Sequence, residues 1–139
     1  MDIIKGVTLT PLKIIPHPKG DILHGIKKSD ATFAGFGEAY FSTIRVEETK
    51  GWKKHSQMTL NLVVPVGKIR FVVFSESENR FFDVILGEGN YQRLTVEPNL
   101  WVAFRGIGKD FNLLLNLANL EHNLQEAENK ELNSILFDW

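Results

Sequence analysis

A short polar stretch just before the most apolar part of the chain carries the strongest candidates for chemistry. Lys53, His55 and Gln57 alternate there, so in a β-strand their side chains would share one face. Imidazole titrates near neutral pH and suits general acid–base catalysis, while an ammonium group can stabilise developing negative charge. Polar groups inside a barrel are costly unless they line a wet pocket. The spacing therefore indicates either a proton-transfer site or, equally well, a solvent-facing strand edge.

Three further features place polar side chains where a ligand could bind. Glu38, Tyr40 and Ser42 share one face of a predicted strand, although an outward polar face is the commoner reason for such a pattern. His122 follows the last predicted strand, where a lone histidine is more often structural. Lys19 lies in a proline-rich loop, which we interpret as a tether unless a partner subunit lies nearby. Phosphate-loop, dinucleotide-binding, H-E-x-x-H and G-x-S-x-G motifs are all missing from the sequence.

Composition limits the class of protein. The chain has 139 residues, 43% of them hydrophobic, which suits one domain spanning residues 1–139. A formal net charge of −1 and a pI near 6.4 argue against a nucleic-acid binder. The absence of Cys excludes disulfides and a Cys-ligated zinc. Neither an apolar run of the ~20 residues that a membrane span needs nor a signal-peptide pattern is evident, so we expect no membrane association and a soluble, cytoplasmic protein.

The elements that must position these residues are predicted to be strands. About eight β-rich segments, separated by turns, cover residues 7–15, 38–46, 59–66, 69–75, 81–86, 91–96, 101–105 and 111–118. Short Gly-containing turns predict hairpins between the third and fourth, the fifth and sixth, and the seventh and eighth of these segments. Residues 124–132 are the only predicted helix, with Asn123 as N-cap and a solvated face. The pattern predicts an all-β sandwich or barrel, and an eight-stranded jelly roll with one short C-terminal helix fits the length of the chain.

Several of these segments resemble the cupins, the double-stranded β-helix proteins, and among them the dTDP-4-dehydrorhamnose 3,5-epimerase family and its sugar-nucleotide relatives. Lys50-Gly51-Trp52 is similar to the first three positions of an Arg-Gly-aromatic/Leu-His motif that leads into a strand in that family. The resemblance continues through residues 37–42, 62–67 and 96–104 and reaches Asp138-Trp139. It covers the chain from about Lys19 to residue 139 and implies a jelly-roll cupin that dimerises through its N-terminal strands.

The resemblance also implies roles for individual residues. The positions of a cupin metal site read Lys53, His55, Leu60 and Val102 here, so we expect no metal and no cofactor. The family's catalytic base aligns with Lys53, but His55 is the better candidate, with Lys53 stabilising an enolate oxygen or acting as base if burial favours its neutral form. The family's acid position falls near His122. Further substrate contacts implied by the resemblance are Glu38, Tyr40, Ser42, Asn61 and Asn116 for the sugar and Lys19, Arg45 and Lys50 for phosphates.

The function implied by this resemblance is epimerisation of a nucleotide-linked 4-keto-6-deoxy sugar, such as a dTDP-sugar, at C3 or C5. The setting would be surface polysaccharide, lipopolysaccharide or O-antigen synthesis. One alternative is the 3,4-ketoisomerase reaction of related cupins. The other is a non-catalytic cupin that binds a sugar nucleotide or a partner, which Lys53 at the base position favours.

Overall fold

The protein is an all-β jelly roll of two five-stranded antiparallel sheets, seen in a computed structural model that describes residues 2–139. The strands in chain order are β1 (Val7–Pro11), β2 (Ile14–Ile15), β3 (Ile22–Leu23), β4 (Glu38–Thr43), β5 (Thr49–His55), β6 (Leu60–Val66), β7 (Lys68–Ser75), β8 (Arg80–Gly87), β9 (Gln92–Val96), β10 (Trp101–Gly106), β11 (Leu113–Ala118) and β12 (Ala127–Asn129). Sheet I has the order β1-β9-β6-β11-β4, and sheet II has the order β12-β5-β10-β7-β8. The predicted all-β jelly roll is confirmed.

The main core lies between the two sheets and follows the two-residue alternation of the strands. Leu60, Leu62 and Val64 point inward from β6, while Phe71 and Val73 point inward from β7. All of them are buried among apolar neighbours of the facing sheet. Packing of apolar faces from two sheets against each other is what stabilises this architecture.

A second apolar cluster covers the outer face of sheet II. Trp52 and Trp101 point outward from β5 and β10 and are both 1% exposed. Residues that follow β12 cover them, because Ile135, Phe137 and Trp139 fold back across the sheet. A 3-10 turn at Leu132–Ser134 starts this return, and the Trp52 indole donates to the Leu132 carbonyl at 3.0 Å.

The three hairpin predictions are wrong. The short turns after β6, β8 and β10 each lead from one sheet to the other, so the strands that they join are not paired. A paired hairpin joins β7 and β8 through residues 76–79 instead, with Lys68 opposite Gly87 and Ser75 opposite Arg80. Gly87 shows why a small residue is needed at such a corner, because a Cβ there would collide with the backbone of Gly67.

The predicted C-terminal helix is also wrong. Residues 124–132 instead form a 3-10 turn at Leu124–Glu126, capped by Asn123, and then β12. β12 pairs antiparallel with β5, with Ala127 opposite His55 and Asn129 opposite Lys53. The free edge of β5 offers backbone hydrogen bonds to this segment, and that tertiary pairing outweighs its local helix propensity. No helix in the described part of the chain, residues 2–139, is long and apolar enough to cross a membrane.

Candidate active site

A cavity of about 380 Å³ lies between the inner faces of the two sheets, on the side where β4 and β5 face each other. Its floor is apolar and includes Leu60, Leu62, Val102, Phe104 and Leu114. Its polar lining consists of Tyr40, Ser42, Lys50, Lys53, His55, Asn116, Asn129 and Lys130. An apolar cavity with a few convergent polar groups is the usual form of a small-molecule site.

His55 is held at this cavity by a buried carboxylate. Its Nδ1 atom lies 2.6 Å from Glu126 Oε1, and both residues are 7% exposed. Glu126 Oε2 also accepts hydrogen bonds from the backbone N–H groups of Gln57 and Met58, each at 3.0 Å. His55 Nε2 has no hydrogen-bond partner among residues 2–139. A carboxylate on Nδ1 keeps the ring proton there, so Nε2 can accept a proton from a ligand in the cavity.

The environment of Glu126 favours its charged form. Burial alone would raise the pKa of the Glu126 carboxyl, but the hydrogen bonds from His55, Gln57 and Met58 outweigh it, and the pKa falls below its ordinary value. An ionised carboxylate fixes the orientation of His55 and stabilises the imidazolium that forms when Nε2 takes a proton. The pair therefore has the arrangement of a general base with its positioning residue.

Three lysines, Lys50, Lys53 and Lys130, give the cavity a positive character. Lys53 lies on the same face of β5 as His55, as the alternation predicted, and its side chain is exposed at the cavity. Lys50 Nζ donates to the Thr43 carbonyl at 2.8 Å and lies 5.9 Å from the centre of the Phe104 ring. None of the described residues that line the cavity is Asp or Glu. The cavity is therefore suited to an anionic ligand.

The wall opposite His55 presents a polar pair from sheet I. Tyr40 on β4 and Asn116 on β11 are directly opposite in register, and Asn116 Nδ2 donates to Tyr40 Oη at 2.9 Å. Ser42 follows Tyr40 on the same face of β4 and also lines the cavity. Tyr40, Ser42 and Asn116 thus lie together with Lys50, Lys53 and His55.

Asn61, which was expected to line the barrel, points the other way. Leu60 and Leu62 face the core, so the alternation turns Asn61 to the outer face of β6. Its Oδ1 atom accepts hydrogen bonds there from Arg93 Nε at 3.1 Å and Thr95 Oγ1 at 2.6 Å. Asn61 is therefore corrected from a sugar contact to part of an outer-face polar network.

Four other expected site residues also lie away from the cavity. His122 is exposed beyond β11, and its backbone N–H donates to Glu38 Oε1 at 2.7 Å. Glu38 and His122 therefore join two chain segments, and neither of them lines the cavity. Arg45 is exposed just after β4. Lys19 is exposed in the loop between β2 and β3. These residues project from strand ends or loops, where the alternation of a strand no longer directs a side chain inward.

Glu126 is the candidate site residue that sequence reasoning missed. It lies in a stretch of Gln, Glu and Lys residues, whose pattern is typical of a solvated helix. Its burial follows from the pairing of β12 with β5, which is not visible in the local pattern. As for metals, residues 2–139 contain no group of three or more His, Cys, Asp or Glu placed to hold an ion.

One solved structure is related to this chain in sequence as well as in fold. It is a dTDP sugar isomerase from Desulfovibrio desulfuricans G20, with 32% identity and a TM-score of 0.90 over 94% of this chain and 87% of that one. Neither family models nor curated proteins gave a match.

More distant structures share the fold. A sugar 3,4-ketoisomerase from Thermoanaerobacterium thermosaccharolyticum, solved in complex with TDP, has 18% identity and a TM-score of 0.78, covering 91% of this chain and 89% of that one. A dTDP-4-dehydrorhamnose 3,5-epimerase from Sulfolobus tokodaii has 18% identity and a TM-score of 0.85, covering 100% of this chain and 84% of that one.

Proposed function

This chain belongs to the RmlC-like cupins, the family of sugar-nucleotide epimerases and isomerases, and on that premise we propose that it epimerises a nucleotide-linked 4-keto-6-deoxy sugar at C3, C5 or both. The observation that carries the proposal is the His55–Glu126 pair, which presents a free imidazole nitrogen to a cavity of suitable size. The dTDP-sugar chemistry named for the Desulfovibrio relative gives the substrate class.

The reaction begins with removal of a proton beside the keto group. His55 Nε2 takes the proton from C3 or C5, and the C–H electrons form the C=C bond of an enolate whose negative charge lies on the C4 oxygen. Lys53, on the same face of β5, stabilises that oxygen as a cation. The keto group already makes its neighbouring C–H bonds acidic, so we propose that the step uses no metal and no cofactor.

Phosphate binding is assigned to the lysines. Lys50 lies at the cavity, and Lys19 lies on the exposed arm formed by β2 and β3, which also carries the exposed side chains of Ile14 and Ile22. The resemblance supports a homodimer joined through the N-terminal strands, in which Lys19 of one copy reaches the diphosphate held by the other. The proposed setting, cytoplasmic synthesis of surface polysaccharide or O-antigen, rests on the resemblance alone.

Deuterium exchange tests this function. The protein is incubated with dTDP-4-keto-6-deoxyglucose in D₂O, and exchange at C3 and C5 is followed by NMR. We expect exchange with the wild type, a loss of about 10²–10⁴-fold in His55→Asn, and little change in the matched variant His122→Asn, whose side chain lies outside the cavity. Full exchange in His55→Asn would show that another group is the base. Binding without exchange in the wild type would show a non-catalytic cupin.

The second candidate function is 3,4-ketoisomerisation, which uses the same first step. His55 is the only His that lines the cavity among residues 2–139, and a single base on one wall suffices to carry a proton between neighbouring carbons. Product analysis separates the two, since a ketoisomerase moves the keto group to C3 while an epimerase leaves it at C4.

A further inference from the structure

The segment that carries Glu126 has little burial on its N-terminal side. Residues 121–125 are all exposed, and Leu124 among them is 82% exposed. β12 follows with three residues, and in the described part of the chain it pairs with β5 alone. A short strand at the edge of a sheet opens easily unless a neighbouring segment anchors it. The contact between Glu126 and His55 therefore depends on how the residues after β12 are held.

Those residues are anchored on the outer face of sheet II through Trp52. The backbone N–H of Trp52 donates to the Lys130 carbonyl, and the backbone N–H of Lys130 donates to the Trp52 carbonyl, each at 3.0 Å. The Trp52 indole donates to the Leu132 carbonyl, and its ring centre lies 6.1 Å from that of Trp139. Residues 131–139, which we call the aromatic strap, thus continue the pairing of β12 and extend it across the sheet.

Arg70 fastens the far end of the aromatic strap. Its guanidinium carbon lies 5.2 Å from the centre of the Phe137 ring and 5.7 Å from that of the Trp139 ring. Two hydrogen bonds to Asp83, from Nε and Nη2, fix the guanidinium in place. The Phe137 ring also packs against Phe81 and Trp139, at centre distances of 5.1 and 5.2 Å. Cation–π and aromatic contacts of this kind add to the stabilisation that burial of the rings provides.

We propose that Phe137 and Trp139 are positioning residues for the His55–Glu126 pair. By fixing the aromatic strap on sheet II they hold β12 against β5, and this keeps Glu126 Oε1 at His55 Nδ1. Both rings lie on the outer face of sheet II and neither lines the cavity, so they act through β12 and touch no substrate. The effect on catalysis rests on the proposed function, whereas the effect on the geometry of the pair does not.

Two measurements on the free protein test the geometry. Hydrogen exchange of the backbone amides of Ser56 and Lys130, which donate across the pairing of β5 with residues 126–130, reports opening of that pairing. ¹⁵N NMR of His55 reports which ring nitrogen carries the proton. In Trp139→Ala we expect both amides to exchange about tenfold or more faster, while the amides of β6 in the other sheet keep their rates. The fraction of His55 protonated on Nδ1 should fall, because Glu126 no longer holds the proton there.

Matched variants separate positioning from a general loss of stability. Leu136 lies in the same strap but is 85% exposed, so Leu136→Ala should behave as the wild type. Trp139→Phe keeps an aromatic ring beside Arg70 and should restore the protection of the amides and the His55 tautomer. Wild-type values in folded Trp139→Ala would overturn the proposal. Equal acceleration of exchange in β6 would also overturn it, since the strap would then act on the whole fold.

The effect on catalysis is tested by a double-mutant cycle. With dTDP-4-keto-6-deoxyglucose in D₂O, we expect Trp139→Ala to lower kcat for solvent exchange by about threefold or more, without exceeding the loss in Glu126→Ala, and to leave KM within about twofold. In the Glu126→Ala background, Trp139→Ala should cause no further loss, because its effect passes through Glu126. The same fold-loss in both backgrounds would overturn the positioning role.

The wild type distinguishes this inference from the proposed function. If the wild type shows no exchange of the sugar protons, the proposed function fails, and the amide and ¹⁵N measurements still decide whether the strap positions the pair. If the wild type exchanges the sugar protons but Trp139→Ala keeps the protected amides and the His55 tautomer, the proposed function stands and the positioning role of the strap is overturned.

Discussion

Replacing Glu126 by Gln should damage catalysis more than replacing it by Ala, although Ala should damage the fold more. Glu126 accepts three hydrogen bonds, from His55 Nδ1 at 2.6 Å and from two backbone N–H groups at 3.0 Å. A Gln side chain has one oxygen and one NH₂ group. We expect the oxygen to accept from the backbone N–H groups and the NH₂ group to donate to His55 Nδ1, because the buried N–H groups need an acceptor.

An NH₂ donor in place of the carboxylate oxygen puts the His55 imidazole in the wrong tautomer. If Nδ1 accepts a hydrogen bond, the ring proton moves to Nε2, which then cannot take a proton from the substrate. Tautomer inversion of this kind lowers turnover by about 10³–10⁴-fold, or roughly 4–5.5 kcal/mol in the activation free energy. With Ala, His55 can still carry its proton on Nδ1, so we expect a smaller loss of about 10–100-fold from poorer orientation and a less stabilised imidazolium.

The stability effects run in the opposite order. In Glu126→Gln, three charge-assisted hydrogen bonds become neutral ones, and each change costs about 1 kcal/mol. Part of this cost is offset because a neutral amide is cheaper to bury than a carboxylate, so we expect the free energy of unfolding to fall by about 2 kcal/mol. In Ala, buried backbone N–H groups lose their acceptor at about 1–3 kcal/mol each, and the expected fall is about 3–4 kcal/mol.

Three measurements check this reasoning. Solvent exchange at C3 and C5 gives the catalytic effect, urea unfolding gives the free energy of unfolding, and ¹⁵N NMR of His55 reports its tautomer directly. The reasoning is refuted if folded Glu126→Gln exchanges within tenfold of the wild type, or if Glu126→Ala is the slower variant. A ¹⁵N spectrum that keeps the proton on Nδ1 in Glu126→Gln would refute the tautomer step itself.

The remaining predictions concern stability and the cavity wall. The pKa of Glu126 is lowered in the folded state, so its carboxylate contributes stability that is present above its ordinary pKa of 4.5. That stability is lost as the pH falls through the lower folded value. In urea unfolding between pH 7 and 3, the difference in free energy of unfolding between the wild type and Glu126→Gln should therefore shrink at acid pH. Arg93 is 0% exposed and bonds to Gly25 and Thr32 of the loop over sheet I, so Arg93→Leu should lower the free energy of unfolding by about 3–5 kcal/mol and speed hydrogen exchange of that loop. A Cβ on Gly51 would overlap Ala103 of the paired strand, so Gly51→Ala should cost about 1–3 kcal/mol in urea unfolding and weaken dTDP binding measured by calorimetry.

The faces of the strands were predicted well from the sequence because alternation is a local property. Lys53 with His55, and Tyr40 with Ser42, were assigned to shared faces from their spacing, and each pair lines the cavity. Asn61 shows the limit of the resemblance, since the apolar residues on either side of it place it on the outer face by the same alternation.

The pairing of the strands was not predictable in this way. Each Gly-containing turn specifies a change of direction, but whether the next strand pairs with its predecessor or crosses to the other sheet depends on distant partners. The helix predicted at 124–132 was wrong for the same reason. The free edge of β5 stabilises β12 by hydrogen bonds that the local sequence does not encode.

The sequence alone determined which side chains share a strand face, Lys53 with His55 and Tyr40 with Ser42, because side-chain type and two-residue alternation are local. Only the tertiary structure brought Glu126 to His55 across 71 residues, set Asn116 against Tyr40 and left His122 outside the cavity. Such contacts join segments distant in the chain, and they form because a buried donor or acceptor must find a partner within the folded protein.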